Sequence, residues 1–171
     1  MNQETRSALA MLHTKYSSAI WKLVPHSIPP YDLPARFAVL NQHEQLFLAI
    51  DCYASNTSSN GCSHFFYYGY GILTDLVLQA YLAIGLPEYE ARIRRYIQRV
   101  FGDKVPEEEQ IAQTILEERQ AMEEEIGDEL SMFLALHSDE FSLALMTWVR
   151  ANREHFRVPP ALTEKLATAN F

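Results

Sequence analysis

The fold of this chain is decided by residues 60–86, which read NGCSHFFYYGYGILTDLVLQAYLAIGL. The stretch begins with the turn signal Asn60-Gly61 and continues into an aromatic run, Phe65 to Tyr68, which is too bulky to be left in water. Apolar residues then recur at spacings of three and four until Gly85, a residue type that commonly ends a helix. These residues therefore predict a turn, a short core helix and a longer helix, with no strand.

The same helical spacing extends over the rest of the chain. Besides the short aromatic helix, we predict helices over residues 3–23, 34–53, 73–84, 87–101, 106–137 and 139–149, with a short tail helix after Pro160. A polar run, Ser55 to Ser59, is expected to stop the second helix. Pro29 and Pro30 predict a non-helical linker over residues 26–33. The sequence therefore predicts an all-α fold, a single compact domain of about six to eight helices over residues 1–171.

Composition limits the classes of function. The chain has 171 residues, 48% of them hydrophobic, and a formal net charge of −8. This hydrophobic share is enough to form a sizeable buried core. The excess of acidic residues argues against a protein that binds nucleic acid directly. The first ten residues lack the pattern of a signal peptide, and no window is apolar enough to cross a bilayer. We therefore expect a cytoplasmic protein with no membrane partner.

The sequence offers weak support for catalysis. None of the six histidines follows a glutamate by three positions, as a helical di-iron site would require. The run Gly61-Cys62-Ser63-His64 brings a thiol, a hydroxyl and an imidazole together, but neighbours in sequence rarely reach the geometry of a nucleophile and its base. Phosphate-binding and dinucleotide-binding motifs are also missing from the sequence. We therefore predict no enzyme, no catalytic residues, no metal and no cofactor.

The negative charge is concentrated in one part of the chain. Residues 103–140, the acidic segment, contain thirteen acids and two bases, so their net charge is −11, while the other residues sum to +3. If residues 106–137 form one helix, Glu117, Glu124 and Asp128 fall within about 40° of one another. The candidate partner-binding carboxylates are Glu107, Glu108, Glu117, Glu118, Glu124, Glu125, Asp128 and Glu129.

Two readings of this charge remain open at the level of sequence. Charge-rich helix faces are often simply solvated. The preceding predicted helix carries four arginines, which could pair with the acidic segment within the chain or dock a second subunit: Arg92, Arg94, Arg95 and Arg99. We therefore expect either a monomer or a homodimer.

Residues 46–103 resemble a bacterial family of small acidic proteins, the DNA mimic protein family. The family pattern places an acidic residue on a helix, then Asn-Gly-Gly, an aromatic run and a helix ending in Ala-Leu-x-x-Ile-Gly-Ala. This chain has Asp51, Asn60-Gly61-Cys62, Phe65-Phe66-Tyr67-Tyr68 and, from Ala80 to Leu86, AYLAIGL. It departs from the pattern at Cys62, Phe65 and Gly69 and in a polar insertion over residues 56–59. The shared motif is structural in type: Asn60, Gly61, Phe65, Phe66 and Gly85.

The resemblance implies an all-α protein that presents carboxylates in place of phosphates to a DNA-binding protein. We expect such a mimic to occupy the DNA-binding surface of a transcription factor of helix-turn-helix type, such as a repressor, and to block its operator binding. Two alternatives use other features. An immunity or antitoxin protein would present the same carboxylates to a basic nuclease, and a small-molecule-binding or enzymatic domain would use a pocket around Asn60, His64 and Tyr67.

Overall fold

The computed structural model describes residues 1–28 and 32–171, and within them every regular element is a helix. The predicted all-α class is therefore confirmed. Eight of the ten α-helices have seven or more residues, in line with the predicted six to eight. The helices are α1 (Gln3–Trp21), α2 (Leu33–Ala38), α3 (Gln42–Asn60), α4 (Cys62–Tyr67), α5 (Thr74–Ala83), α6 (Pro87–Val100), α7 (Glu109–Glu118), α8 (Gln120–Leu136), α9 (Ser138–Ala151) and α10 (Pro160–Thr168), with short 3-10 turns at Tyr70–Leu73 and Arg153–His155. Pro29 and Pro30 of the predicted linker lie outside the described residues.

The chain folds into two compact units. The first unit comprises residues 1–48 and 138–171, and the second comprises residues 49–137. Helix α3 contributes its first turns to one unit and its remainder to the other.

The first unit is built on α1, α9 and α10. The buried stripe of α1 includes Leu9, Tyr16 and Ile20, at the three- and four-residue spacing that places side chains on one helix face. The Tyr16 ring meets Phe156 edge to face, with ring centroids 6.0 Å apart. Burial of such large side chains supplies most of the stabilisation of a small helical unit.

A fully buried carboxylate, Glu44, joins distant segments of this unit. Asn41 and Glu44 cap α3 reciprocally: the Asn41 side chain accepts from the Glu44 N–H, and Glu44 Oε2 accepts from the Asn41 N–H, each at 3.1 Å. The Arg157 backbone N–H donates to Glu44 Oε1 at 2.9 Å, and the guanidinium binds both carboxylate oxygens. Burial alone would raise the pKa of Glu44, but these hydrogen bonds outweigh it and hold the pKa below its ordinary value.

The second unit is centred on the aromatic run. Phe65 meets Tyr53 edge to face at 5.0 Å between centroids, while Phe66 stacks on Tyr96 of α6 at 5.5 Å. Both phenylalanines are buried. Gly61 precedes α4 with φ 83° and ψ 169°, a conformation that L side chains rarely adopt, so this position favours glycine. At the end of α5, the Leu86 N–H donates to the Tyr81 carbonyl at 2.9 Å across Gly85, whose φ is +80°.

Three predicted boundaries are wrong. The predicted helix over 34–53 is divided into α2 and α3, because the Asn41 cap starts a new helix. The run from Ser55 to Ser59 does not stop α3, which ends at Asn60. Side chains of Asn56, Thr57 and Ser58 bond back to the preceding turn, as when Thr57 Oγ1 donates to the Tyr53 carbonyl at 2.9 Å, so these residues remain compatible with a helix. The helix predicted over 106–137 is also divided, as described below.

Replacing the buried carboxylate of Glu44 should make the free energy of unfolding less dependent on pH in the acidic range. The pKa of Glu44 is lower in the folded state than in the unfolded chain, so its stabilisation is present above the unfolded pKa of about 4.3 and is lost as pH falls through the folded pKa. We expect Glu44→Gln to lose about 2 kcal/mol at pH 7 and to show a flatter decline below about pH 4.5. Urea unfolding across a pH series measures both. The exposed carboxylate Glu164 supplies the control Glu164→Gln, and an unchanged acid profile in Glu44→Gln would contradict the assignment.

The two motif glycines should differ in their cost of substitution. A Cβ built at Gly61 or Gly85 meets nothing within 4 Å, so the cost of alanine at either position is conformational. Gly61→Ala should lose about 1–3 kcal/mol because its backbone lies in a region used almost only by glycine, and Gly85→Ala about 1 kcal/mol. Thermal unfolding of the two single variants tests this order. Equal stability of Gly61→Ala and the unmodified chain would show that the turn adopts another conformation.

Candidate functional site

The acidic segment turns at Arg119, where α7 ends and α8 begins. Arg119 has φ −112° and ψ 21°, outside the helical range. Its N–H still donates to the Ile115 carbonyl at 3.0 Å, and its carbonyl accepts from Met122 at 3.0 Å, so the turn costs few backbone hydrogen bonds. The guanidinium donates to the Val100 carbonyl at 2.7 Å at the end of α6. The prediction of one helix over 106–137 is therefore wrong, and so is the shared face computed for Glu117, Glu124 and Asp128.

Helix α8 by itself presents a continuous acidic face. Gly127, Leu130 and Phe133 are buried on one side. On a helix of 3.6 residues per turn, the exposed carboxylates lie on roughly the opposite side, within about 140° of one another. We call them the acidic stripe: Glu124, Glu125, Asp128 and Glu129.

The buried side of α8 packs against α6 around Gly127. A Cβ added there would lie 2.6 Å from Glu123 Oε1 and 3.6 Å from Tyr96 Cε2. The Tyr96 hydroxyl donates to that Glu123 oxygen at 3.1 Å, and burial together with the Glu123 charge raises the pKa of Tyr96. Glu123 therefore serves the packing of α8 on α6. The sequence shows Gly127 four positions after Glu123, but that spacing alone does not reveal the Tyr96 contact.

The structure leaves most of the predicted carboxylates without a counterion. All eight belong to exposed residues. Glu107 pairs with Lys104 at 2.6 Å, and Glu129 lies 3.5 Å from Arg92. Within residues 1–28 and 32–171, the other six have no cationic group within 4.0 Å: Glu108, Glu117, Glu118, Glu124, Glu125 and Asp128.

The arginines of α6 do not cover the acidic segment. Arg92 and Arg94 bind acids of their own helix, Glu88 at 2.9 Å and Glu90. Only the Arg92 contact with Glu129 reaches α8 among the ion pairs of the described residues. The nearest base in sequence, Arg119, is directed at backbone carbonyls of α6. The negative potential of the acidic segment is therefore largely uncompensated within its own unit.

Helix α7 connects the acidic segment to the aromatic motif. Gln113 Nε2 donates to the Tyr67 carbonyl at 2.9 Å, and the Tyr67 hydroxyl donates to Glu117 Oε1 at 3.4 Å. The nearby Glu117 charge raises the pKa of Tyr67, because a phenolate beside a carboxylate is disfavoured. The motif thus holds α7 in place while Glu117 stays exposed.

Two exposed apolar side chains extend the face of α8 that carries the acidic stripe. Met132 is 64% exposed and Leu136 is 75% exposed. By helix periodicity, both lie within the angular range of the stripe, one and two turns beyond it. The charge pattern of the sequence does not place either residue at a surface. Their spacing of three and seven residues from Glu129 is the only sequence signal for this placement.

The proposed pocket around Asn60, His64 and Tyr67 is not supported by the contacts of His64. Its Nδ1 lies 3.1 Å from Asn56 Oδ1, and its ring packs on Tyr68 at 4.4 Å between centroids. Two clefts described in the second unit, of about 320 and 350 Å³, are lined by other residues. Burial raises the pKa of Cys62 to about 11, so this thiol stays protonated near neutral pH.

Neither a metal cluster nor a membrane span is found in the described part of the chain. No group of three or more His, Cys, Asp or Glu side chains in residues 1–28 and 32–171 is placed to hold a metal ion. Over the same residues, every helix is too short or too polar to cross a membrane.

The comparison with protein families gives one match. The family described as DMP19-like protein matches residues 38–152, about two thirds of the chain. The matched range contains the aromatic motif, both motif glycines and the whole acidic segment. No curated protein and no solved structure gives a significant match. The extent of the family match shows that this chain belongs to the DMP19-like protein family.

Proposed function

We propose that this protein is a DNA mimic that binds the DNA-binding surface of a transcription factor of helix-turn-helix type and blocks its operator binding. Membership of the DMP19-like family suggests a protein of the DNA-mimic type. The observation that carries the proposal is the acidic stripe, in which Glu124, Glu125 and Asp128 are exposed and have no cation within 4.0 Å in the described part of the chain. Such a surface suits a basic partner.

The charge density of the stripe supports this assignment. Four carboxylates occupy residues 124–129, which span about 8 Å of helix, or about one charge per 2 Å. Double-stranded DNA carries one charge per roughly 1.7 Å of its axis. Glu108, Glu117 and Glu118 add exposed charges in the preceding elements. A groove that is built to bind phosphates therefore meets a similar density of negative charge.

The same density of negative charge lowers the stability of α8. Glu124 and Asp128, and likewise Glu125 and Glu129, are like charges four residues apart on a helix, which costs a few tenths of a kcal/mol per pair. Among the four stripe carboxylates, only Glu129 has a cation of the described residues within 4.0 Å, which is Arg92. Glu124 also accepts a hydrogen bond from Gln120 Nε2 at 2.8 Å, but within the described residues Glu124, Glu125 and Asp128 have no cation to offset their mutual repulsion. Carboxylates that weaken their own helix in this way are consistent with a role in binding.

Neutralising the stripe should weaken inhibition of the partner. We expect Glu124→Gln/Glu125→Gln/Asp128→Asn to bind the partner at least about tenfold more weakly, because three charge contacts are lost. Glu4→Gln/Glu154→Gln/Glu164→Gln is the control, since it changes the net charge equally at exposed residues of the other unit.

The measurement combines capture with competition. Proteins of the source organism that are retained on DNA-cellulose are passed over the immobilised chain, and each bound protein is purified and tested for release from its operator in a gel-shift assay. The proposal expects release by the unmodified chain and the control at about 0.1 M salt, weakening at about 0.5 M as the Debye length shortens. Failure to release any DNA-binding protein, or equal release by the stripe variant, would contradict it. Inhibition of a basic nuclease alone would favour the immunity alternative.

The cost of the stripe can be measured without a partner. We expect Glu125→Gln to raise the free energy of unfolding by about 0.3 kcal/mol, because it removes repulsion from Glu129 one turn away. Glu164→Gln is the control, since residues 160, 161, 167 and 168 around it are uncharged. Chemical denaturation measures both variants. A loss of stability in Glu125→Gln would mean that this carboxylate makes a favourable contact in the fold.

A further inference from the structure

A groove between α1 and α10 in the first unit is not used by the proposed function. Its volume is about 750 Å³. Apolar side chains form part of its lining, among them Ala19 and Leu23 from the α1 side and Leu162 from α10. Lys15, Lys22 and Lys165 stand around it, so we call it the lysine groove.

The lysine groove concentrates positive charge in an acidic protein. Three of the four lysines of the chain line it, and the fourth, Lys104, is paired with Glu107 elsewhere. The three ammonium groups have no carboxylate within 4.0 Å in the described part of the chain, and no lining residue is an Asp or Glu. Arg157 also contributes to the lining, but its guanidinium is bound to Glu44. The groove therefore combines an apolar floor with three unpaired cations.

An acidic amphipathic helix matches this combination. Helix-in-groove recognition places apolar anchors on the floor of a groove and leaves charged residues to its rim. The exposed face of α8 has both parts, the acidic stripe and then Met132 and Leu136. The lengths are comparable as well. Lys15 and Lys22 are seven residues apart at the end of α1, about 10 Å along the helix, and the acidic stripe spans about 8 Å of α8.

We propose that the lysine groove binds α8 of a second copy of this chain. The lysines of one copy face the acidic stripe of the other, and Met132 and Leu136 lie on the apolar floor. Both surfaces belong to the same polypeptide, so they are always present at equal concentration. The contact joins two different surfaces and is therefore heterologous, which produces either a closed ring or an open chain of copies. It goes beyond the proposed function and does not depend on it.

Charge reversal and mixing test the contact directly. The groove-reversed variant is Lys15→Glu/Lys22→Glu/Lys165→Glu, and the stripe-reversed variant is Glu124→Lys/Glu125→Lys/Asp128→Lys. Sedimentation velocity across a concentration series at about 0.05 M salt measures the mass of each, and circular dichroism verifies folding. A third variant, Arg95→Glu/Arg99→Glu/Arg153→Glu, changes the charge as much as the groove-reversed variant does, at exposed arginines outside the groove.

The proposal expects the unmodified chain and the arginine variant to exceed the monomer mass of 19.7 kDa as concentration rises. Each reversed variant alone stays at that mass. An equal mixture of the two reversed variants forms a complex, because the acidic groove of one copy now meets the basic stripe of the other. Rescue by mixing requires folded partners, so misfolding cannot imitate it.

Three results would overturn the proposal: a monomeric unmodified chain at every concentration, self-association that survives both reversals, or loss in both variants without rescue on mixing. Sodium laurate tests a single-chain anionic amphiphile as another occupant of the groove. Its binding to an unmodified chain that remains monomeric would assign the groove to such a ligand and overturn the self-association. The groove-reversed variant keeps the acidic stripe, so its failure to self-associate leaves the binding of a DNA-binding protein unaffected.

Discussion

The close approach of α8 to α6 at Gly127 is the constraint on which the candidate surface depends. A Cβ at this position would lie 2.6 Å from Oε1 of Glu123 and at an ordinary van der Waals distance, 3.6 Å, from the Tyr96 ring of α6. The hydrogen bond from the Tyr96 hydroxyl to Glu123 then holds the two helices together. Because Gly127, Leu130 and Phe133 face inward, the acidic stripe has to face outward. The buried side of α8 therefore sets the direction in which the four carboxylates point.

Acidic residues of this chain play two physically different roles. Glu44 and Glu123 are held by hydrogen-bond donors and stabilise the packing of their own units. The stripe carboxylates instead lie in solvent, and most of them lack a cation. Exposed like charges on one helix repel one another, and a basic partner would relieve that repulsion on binding. This difference is why we assign recognition to the stripe rather than to the acidic segment as a whole.

The first unit has the opposite electrostatic character at its groove. Three lysines surround an apolar surface between α1 and α10, without carboxylates in the lining. The residues outside the acidic segment have a net charge of +3, and part of this positive charge is concentrated in the lysine groove. Two surfaces of opposite sign on one chain provide the basis for self-association, and the acidic stripe would then be shared between a second copy and a DNA-binding protein.

Much of the fold could be predicted from the sequence, since helical spacing and the glycines at positions 61 and 85 report local conformation. The break at Arg119 could not, because no proline or glycine marks it and the hydrogen bond made there, from the Arg119 guanidinium to the Val100 carbonyl, joins residues 19 positions apart. Helix α3 continues through Ser58, where the side chains of Thr57 and Ser58 donate hydrogen bonds to backbone carbonyls of the same helix. Composition alone does not predict these hydrogen bonds. The charge count identified the candidate carboxylates of the acidic segment. The side of α8 that faces solvent could be read only from the structure, which buries Gly127, Leu130 and Phe133.

The structure of a complex would show whether the acidic stripe takes the place of DNA phosphates. A crystal structure of this chain with a DNA-binding protein that it releases from an operator can be superposed on the complex of that protein with DNA. Our account predicts that carboxylates of Glu124, Glu125 and Asp128 lie at the positions of phosphates and contact the same basic side chains. A complex in which the DNA-binding surface of the partner remains free, or in which the stripe faces solvent, would contradict it.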